Sequence, residues 1–330
     1  MSDLYPLLLV PEFHERIWGT RDLSPIYREA PGTAPIGEAW LTADTCKVAN
    51  GPLAGATLGE LCRRYGRELV GGAARETDRF PLLIKFLFPR EKLSVQVHPD
   101  DEGARRLGQP CGKTECWYVV GAEPGAQIGL GLKPGVTKAQ FEQAIRETRA
   151  EELMNWLNIH PGEMIYVDAG TVHAIGSGSI LVETQQNSDT TFRLYDYGRP
   201  RELHVEQGLV AVKERTRAGK VRSKRAVAHC TELVSAPSFS VAKVALGKGD
   251  QLTRHKEDEP GQASVTVLVA LGGSGVFEHS GPDPLSFNRG EAVVVPACIP
   301  SFSVRAQWDV EFLTMKLPLP GGIAEPVTSL

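Results

Sequence analysis

One segment of this chain occurs twice. The first copy reads Pro161-Gly162-Glu163, the apolar run Met164–Val167, then Asp168-Ala169-Gly170-Thr171-Val172-His173. The second reads Arg289-Gly290-Glu291, the apolar run Ala292–Val295, then Pro296-Ala297-Cys298-Ile299-Pro300-Ser301. In each, glycine and glutamate precede a short strand, a turn residue stands six positions after the glycine, and a polar residue stands eleven after it. A repeated strand–turn–strand unit implies two similar β units in one chain. Only the first copy ends on a histidine.

Other short apolar runs agree with a β reading: Leu82–Phe88, Leu93–Val97, Trp117–Val120, Ile180–Glu183 and Val265–Ala270, with Gly, Pro, Asn and Asp between them. Many strands of this length predict a sandwich or barrel. Helical patterns are fewer. Thr57–Leu69 opens on Thr-x-x-Glu, a capping box. Thr137–Leu157 places Phe141, Ile145, Leu153 and Trp156 at helical spacing, and Glu202–Val212 is a third candidate. Trp18 and Trp40 read as core aromatics. With 330 residues the chain has room for two domains.

Gln96 and His98 are two residues apart, so on a strand both face the same side. Pro99 and Asp100 end that strand, Glu115 opens the next apolar run, and His173 closes the repeat's turn. Two imidazoles, a carboxylate and an amide oxygen suit Zn²⁺, with Mn²⁺, Co²⁺ or Fe²⁺ as substitutes. A neutral amide donor leaves the ion more positive charge for Lewis-acid chemistry.

The repeat resembles the second motif of the cupin family, whose last position normally binds metal; Asp168 stands where proline is usual. The resemblance implies a mainly β fold of two cupin, jelly-roll-like β-barrels with a few short helices. The expected division is a catalytic domain over 1–220 and a degenerate one over 221–330, with the join in the basic segment Arg215–Ala228. The segments Leu93–Glu102, Gly112–Tyr118, Asp168–Gly176 and Gln185–Arg199 are similar to type I mannose-6-phosphate isomerases of the short bacterial form. Arg16-Ile17-Trp18-Gly19 and Ile36-Gly37-Glu38-Ala39-Trp40 resemble that family's N-terminal signature, and the likeness spans roughly residues 5–215.

That resemblance implies interconversion of mannose 6-phosphate and fructose 6-phosphate through a cis-enediol. It implies Zn²⁺ on Gln96, His98, Glu115 and His173, and substrate contacts by Lys113 and Arg193. Lys113 and Asp189 are candidates for proton transfer, and Arg193 for holding the enediolate or the phosphate. Ser94 and Lys85 are candidates for the phosphate. Longer family members carry a histidine where this chain has Gly112, so no role of that histidine applies here.

Two other readings stand beside this one. A non-haem iron dioxygenase commonly uses three histidines and a glutamate, or two histidines and one carboxylate with open positions; Gln96 and the lysine two residues before Glu115 argue against it. A non-catalytic sugar-phosphate-binding cupin would bind without turnover. A net charge of −4 gives no basic footprint for nucleic acid. No apolar run reaches the roughly 20 residues of a membrane span. Six cysteines without CxxC spacing read as reduced thiols. The expected protein is a cytoplasmic monomer acting on a small sugar phosphate.

Overall fold

The computed structural model describes residues 3–222, 227–255, 263–279 and 283–318. Lys224 and Arg225 of the basic segment lie outside the described residues. The first half contributes β1 (Leu7–Leu9), β2 (Glu12–Thr20), β3 (Ile36–Trp40), β4 (Leu82–Leu87), β5 (Val95–Val97), β6 (Glu115–Ala122), β7 (Gln127–Leu132), β8 (Met154–Asn158), β9 (Met164–Val167), β10 (His173–Ile175), β11 (Ser179–Gln186), β12 (Phe192–Tyr195) and β13 (Gly219–Lys220). Two antiparallel sheets result, in the orders β13-β9-β6-β11-β4-β3-β2 and β12-β5-β10-β7-β8. Trp117, Val119, Leu181, Ile165 and Leu87 of the larger sheet pack with Ile128, Leu130 and Ile175 of the smaller.

The second half repeats the plan. Its six-stranded sheet runs Leu7–Leu9, Ala292–Val295, Thr266–Gly272, Val310–Lys316, Ser240–Leu246, Cys230–Ser235. Its four-stranded sheet runs Gln251–His255, Ser301–Ala306, Ser274–His279, Leu285–Asn288. The N-terminal strand β1 therefore pairs with the second unit, Leu8 opposite Val293. Between these two sheets lie Phe277, Phe287, Phe312, Val304 and Leu268, which fill the space with apolar side chains. Burying each contributes roughly 1.5–3 kcal/mol.

Alternation along the strands explains how the units join. On β6, Trp117 and Val119 face the interior of the first unit, while Tyr118 and Cys116 face outward. The outward set packs with Ile84, Phe86, Val241, Val267, Val294 and Leu313, so one large core joins the two larger sheets.

Both copies of the repeat close in the same way. Glu163 accepts from the His160 backbone N–H at 2.9 Å, and Glu291 from that of Asn288 at 2.7 Å. The preceding Gly162 and Gly290 have φ of 90° and 84°, a conformation that favours glycine. The repeated Gly-Glu pair is thus a turn lock, present with or without a histidine downstream.

The helical expectations hold in part. Leu58–Tyr65 is a helix with the full Thr57–Glu60 capping box, but it breaks at Gly66 (φ 50°) and resumes only as the single turn Arg67–Val70. Val205–Ala211 is helical. The expected helix over Thr137–Leu157 ends at Arg146; the chain turns through Thr148 at φ 58°, makes a short 3-10 turn, and becomes β8. Trp156 faces Gly129 across a sheet rather than lying on a helix.

Candidate metal centre

Gln96 sits in the middle of β5, with His173 of β10 opposite it on one side and Arg193 of β12 on the other. Directly opposed residues of antiparallel strands project to the same face. Three side chains from three strands therefore converge by register alone. His98 lies just past the end of β5. Glu115 begins β6, opposite Gln185 and Val167. His98, Glu115 and His173 are 2%, 0% and 0% exposed, burial that ionisable groups tolerate only with partners.

The spacing of their donor atoms fits one ion. His173 Nε2 is 3.3 Å from Glu115 Oε1, and His98 Nε2 is 3.6 Å from Glu115 Oε2. The Gln96 amide is 3.1 Å from His173 Nε2. A tetrahedral ion with donors at about 2.0–2.1 Å needs them about 3.3 Å apart. Turning the Gln96 amide by half a turn presents oxygen in place of nitrogen.

Each histidine is tethered through Nδ1. His98 Nδ1 donates to the Thr190 carbonyl at 2.9 Å, and His173 Nδ1 to the Thr171 carbonyl at 3.0 Å. A proton fixed on Nδ1 leaves Nε2 unprotonated, with its lone pair turned toward Glu115. Burial pushes His98 well below its ordinary pKa, with Lys113 adding to the effect, and pushes His173 down to about 4. Burial pushes the Glu115 carboxyl upward, against the pull of Lys113. Neither Glu115 oxygen accepts a directed hydrogen bond; Lys113 Nζ stands 3.0 Å from Oε2 as a charge contact. Two neutral imidazoles beside a buried carboxylate, whose Oε1 has neither a hydrogen bond nor a lysine beside it, fit a divalent cation.

Asp168, in the place where cupins usually carry proline, has a local role. Its Oδ1 accepts from the Thr171 hydroxyl at 3.0 Å and the Arg217 N–H at 3.1 Å, which fixes the loop whose Thr171 carbonyl holds His173. Gly112 is also explained. A Cβ there would stand 2.5 Å from the Asp100 carbonyl carbon, so no side chain fits.

The remaining candidates divide by position. Lys113 is buried, with Nζ 3.1 Å from His98 Nε2. Burial would lower its pKa, but Glu115 and Glu183 push it up to about 12. Ser94, 4% exposed, donates to Gln96 Oε1 at 3.5 Å. Arg193 donates from Nη1 to the Glu202 carbonyl at 2.7 Å, while its buried Nε has no partner. Asp189 is exposed, next to the Thr190 that holds His98. Lys85 is buried, 4% exposed, with its ammonium 3.2 Å from Glu183 and 3.9 Å from Glu38.

Sequence reasoning missed Glu183. Its Oε1 accepts from Trp117 Nε1 at 3.1 Å, and it lies opposite Trp117, one inward step along β6 from Glu115. Burial would raise its pKa, yet Lys85 and Lys113 hold it below the usual carboxylate range. The available signal was a carboxylate closing the apolar run Ile180–Glu183 at an inward position of its strand. Trp40, read as a core aromatic, also makes a polar contact, its Nε1 donating to Glu38 at 2.6 Å.

Comparison with known proteins agrees with this site. The family profile "phosphomannose isomerase type I, catalytic domain" matches residues 7–118. Mannose-6-phosphate isomerase ManA of Bacillus subtilis is 35% identical, over 91% of this chain and 95% of its own length. Mannose-6-phosphate isomerase of Streptococcus mutans is 32% identical, over 90% of this chain and 94% of its own. The crystal structure of the mannose 6-phosphate isomerase from Bacillus subtilis superposes with a TM-score of 0.83 at 31% identity, covering 94% of this chain and 99% of that one. With likeness of sequence and of fold each running along nine-tenths of the chain, the protein belongs to the type I phosphomannose isomerases.

Proposed function

We propose that this protein is a zinc-dependent mannose-6-phosphate isomerase, interconverting mannose 6-phosphate and fructose 6-phosphate. The observation that carries the reading is the convergence of Gln96, His98, Glu115 and His173, with both histidines tethered through Nδ1. Zinc is the ion best suited to that donor set. A divalent ion held by these four side chains would supply Lewis-acid polarisation of the sugar's oxygens.

The protein's own groups supply the rest. Moving a proton between C1 and C2 builds negative charge on an enediol, and Lys113 is a cation beside that place. Arg193, next to Gln96 in the sheet, offers a fork of donors to the phosphate or the enediolate. Ser94 adds a hydroxyl near Gln96. Asp189, at the mouth, is the candidate to move protons between the sugar and solvent. Lys85, already facing two carboxylates, reads better as a support for Glu183 than as the phosphate's partner.

Charge balance supports a phosphorylated substrate. Arg16, Lys85 and Lys113 offset Glu38, Glu183 and Glu115 within one linked group. A divalent ion then leaves the pocket positive, opposite the roughly −1.5 to −2 charge of a phosphate monoester.

We assign the chemistry to residues 1–220 and a supporting role to 221–330, whose interior is apolar. Six cysteines with no disulfide among the described residues support a reducing, cytoplasmic setting, and a monomer is the proposed form. The test is a coupled assay of mannose 6-phosphate conversion on protein as purified, after chelation, and after zinc is restored. Loss and return of activity is expected. A folded, zinc-bearing protein without turnover would overturn the assignment.

A further inference from the structure

The N-terminal motifs Arg16–Gly19 and Ile36–Trp40 enter the site so far only through its charge balance, yet they sit at one end of a continuous row of charges. Five adjacent strands, β2, β3, β4, β11 and β6, carry it across the larger sheet. Arg16 donates from Nε to Glu38 Oε1 at 2.9 Å and from Nη2 to Oε2 at 3.1 Å. Trp40 Nε1 donates to the same Oε2 at 2.6 Å. Glu38 is therefore fixed by three donors. Lys85 Nζ lies 3.9 Å from Glu38, 5.0 Å from the centre of the Trp40 ring, and 3.2 Å from Glu183. Trp117 Nε1 holds the other Glu183 oxygen.

The glycines of both motifs serve this contact. A Cβ on Gly37 would meet Arg16 Cβ at 2.5 Å, and one on Gly19 would meet the Ile36 carbonyl carbon at 2.4 Å. Only without them does β2 lie close enough for the Arg16 guanidinium to grip Glu38 with two donors.

We infer that Arg16 and Glu38 are positioning residues for the sugar-phosphate site, acting through Lys85 to fix the Glu183 carboxylate beside the metal-binding side chains. A lysine has a flexible four-carbon stem and, with one carboxylate partner, several resting positions. A second carboxylate, itself clamped, together with the Trp40 ring leaves it one. Glu183 is then held from two sides, by Lys85 and Trp117, at the inward step next to Glu115. The Arg16 side chain bonds to Glu38 and the Glu15 carbonyl and to none of the proposed metal-binding side chains, so its influence travels along this row.

The inference rests on the isomerase reading, and its tests separate the two. With zinc-loaded enzyme and mannose 6-phosphate, Glu38→Gln and Arg16→Met each lower kcat by about tenfold or more, the usual effect of removing an outer support. KM changes less than about twofold and zinc content is unchanged, since the lost interaction is not uniform substrate binding. Because Glu38 acts through Lys85, Glu38→Gln combined with Lys85→Met is no worse than Lys85→Met alone. Arg16→Lys, which keeps the charge but loses the fork, recovers part of the loss. Additive effects, or a normal kcat in Arg16→Met, overturn the inference. A crystal structure of Arg16→Met decides it independently of turnover: displaced Lys85 and Glu183 side chains support it, and unchanged ones refute it. Wild-type protein that fails to convert mannose 6-phosphate would remove the isomerase reading alone.

Discussion

His98 and His173 stand with ring centroids 4.8 Å apart, each with Nδ1 tied to a main-chain carbonyl and Nε2 turned toward Glu115. Neither carbonyl belongs to the strand of the histidine it holds. Thr190 comes from the loop before β12 and Thr171 from the turn before β10, so the loops set the rings and the strands set the distance. This geometry turns a weak sequence signal, two histidines far apart, into one candidate donor set.

The direct consequence concerns metal retention. Replacing His173 by alanine removes a donor and leaves Glu115 buried beside Lys113. Zinc content should fall well below one per chain, and activity should drop by more than the roughly 10–100-fold typical of losing an outer support. Elemental analysis after gel filtration, alongside the coupled assay, checks both. A variant that keeps zinc and turnover would exclude His173 from the donor set.

Acid sensitivity should trace partly to Glu38. Burial alone would raise its pKa, but Lys85 and Arg16 bring it down to about 2, from 4.5. A carboxyl depressed on folding stabilises the protein above its unfolded pKa and loses that contribution as pH falls through the folded one. Glu38 thus contributes about 3 kcal/mol above pH 4.5, lost between there and pH 2. Urea denaturation of wild type and Glu38→Gln should show a stability gap at neutral pH that narrows through this window. A gap independent of pH would mean the charge of Glu38 is not what stabilises.

The β character, the repeat and the four proposed donors were legible because each depends on local pattern: period-two alternation, turn residues, and two side chains on one strand face. The Arg16–Glu38–Lys85–Glu183 row was not, since it depends on which strands become neighbours. Glu38 and Lys85 are far apart in sequence, and only the β3–β4 register, with Trp40 opposite Lys85, brings them together. The same limit explains the misread helix. Leu153 and Trp156 fit a helical stripe, but the turn at Thr148 and the pairing of β8 with β7 override it. Nothing in Leu7–Leu9 says that this strand joins the second unit.

Gly112 offers a test of the lysine's placement. Its N–H donates to Asp101 Oδ1 at 2.9 Å, and the next N–H, of Lys113, donates to the Pro99 carbonyl at 3.0 Å. The segment carrying Lys113 is thereby stitched to the turn after His98. Gly112→Ala forces a Cβ into that backbone, with an expected cost of about 1–3 kcal/mol. The push also moves Lys113 from Glu115, so kcat should fall along with the melting temperature. Unchanged stability would show that the turn yields easily, and unchanged kcat that Lys113 tolerates the shift.

Arg193 separates substrate binding from metal binding most cleanly. It lies opposite Gln96, yet its Nη1 is held by the Glu202 carbonyl and its buried Nε is unpartnered, so the guanidinium is braced at one end with a donor to spare. Burial lowers its pKa without removing its charge. Arg193→Ala should leave zinc content unchanged while kcat/KM falls by about 100-fold or more, on the scale of losing a charge-assisted contact of about 3 kcal/mol. The split then tells which group it holds. A rise in KM with kcat intact places the guanidinium on the phosphate, since that contact is the same in ground and transition states. A fall in kcat with KM intact places it on the enediolate, whose charge exists only on the way across. Arg193→Lys should recover little in either case, because a lysine supplies no planar fork and cannot both reach the Glu202 carbonyl and keep a second donor free. Loss of zinc from Arg193→Ala would show instead that the arginine serves to hold Gln96.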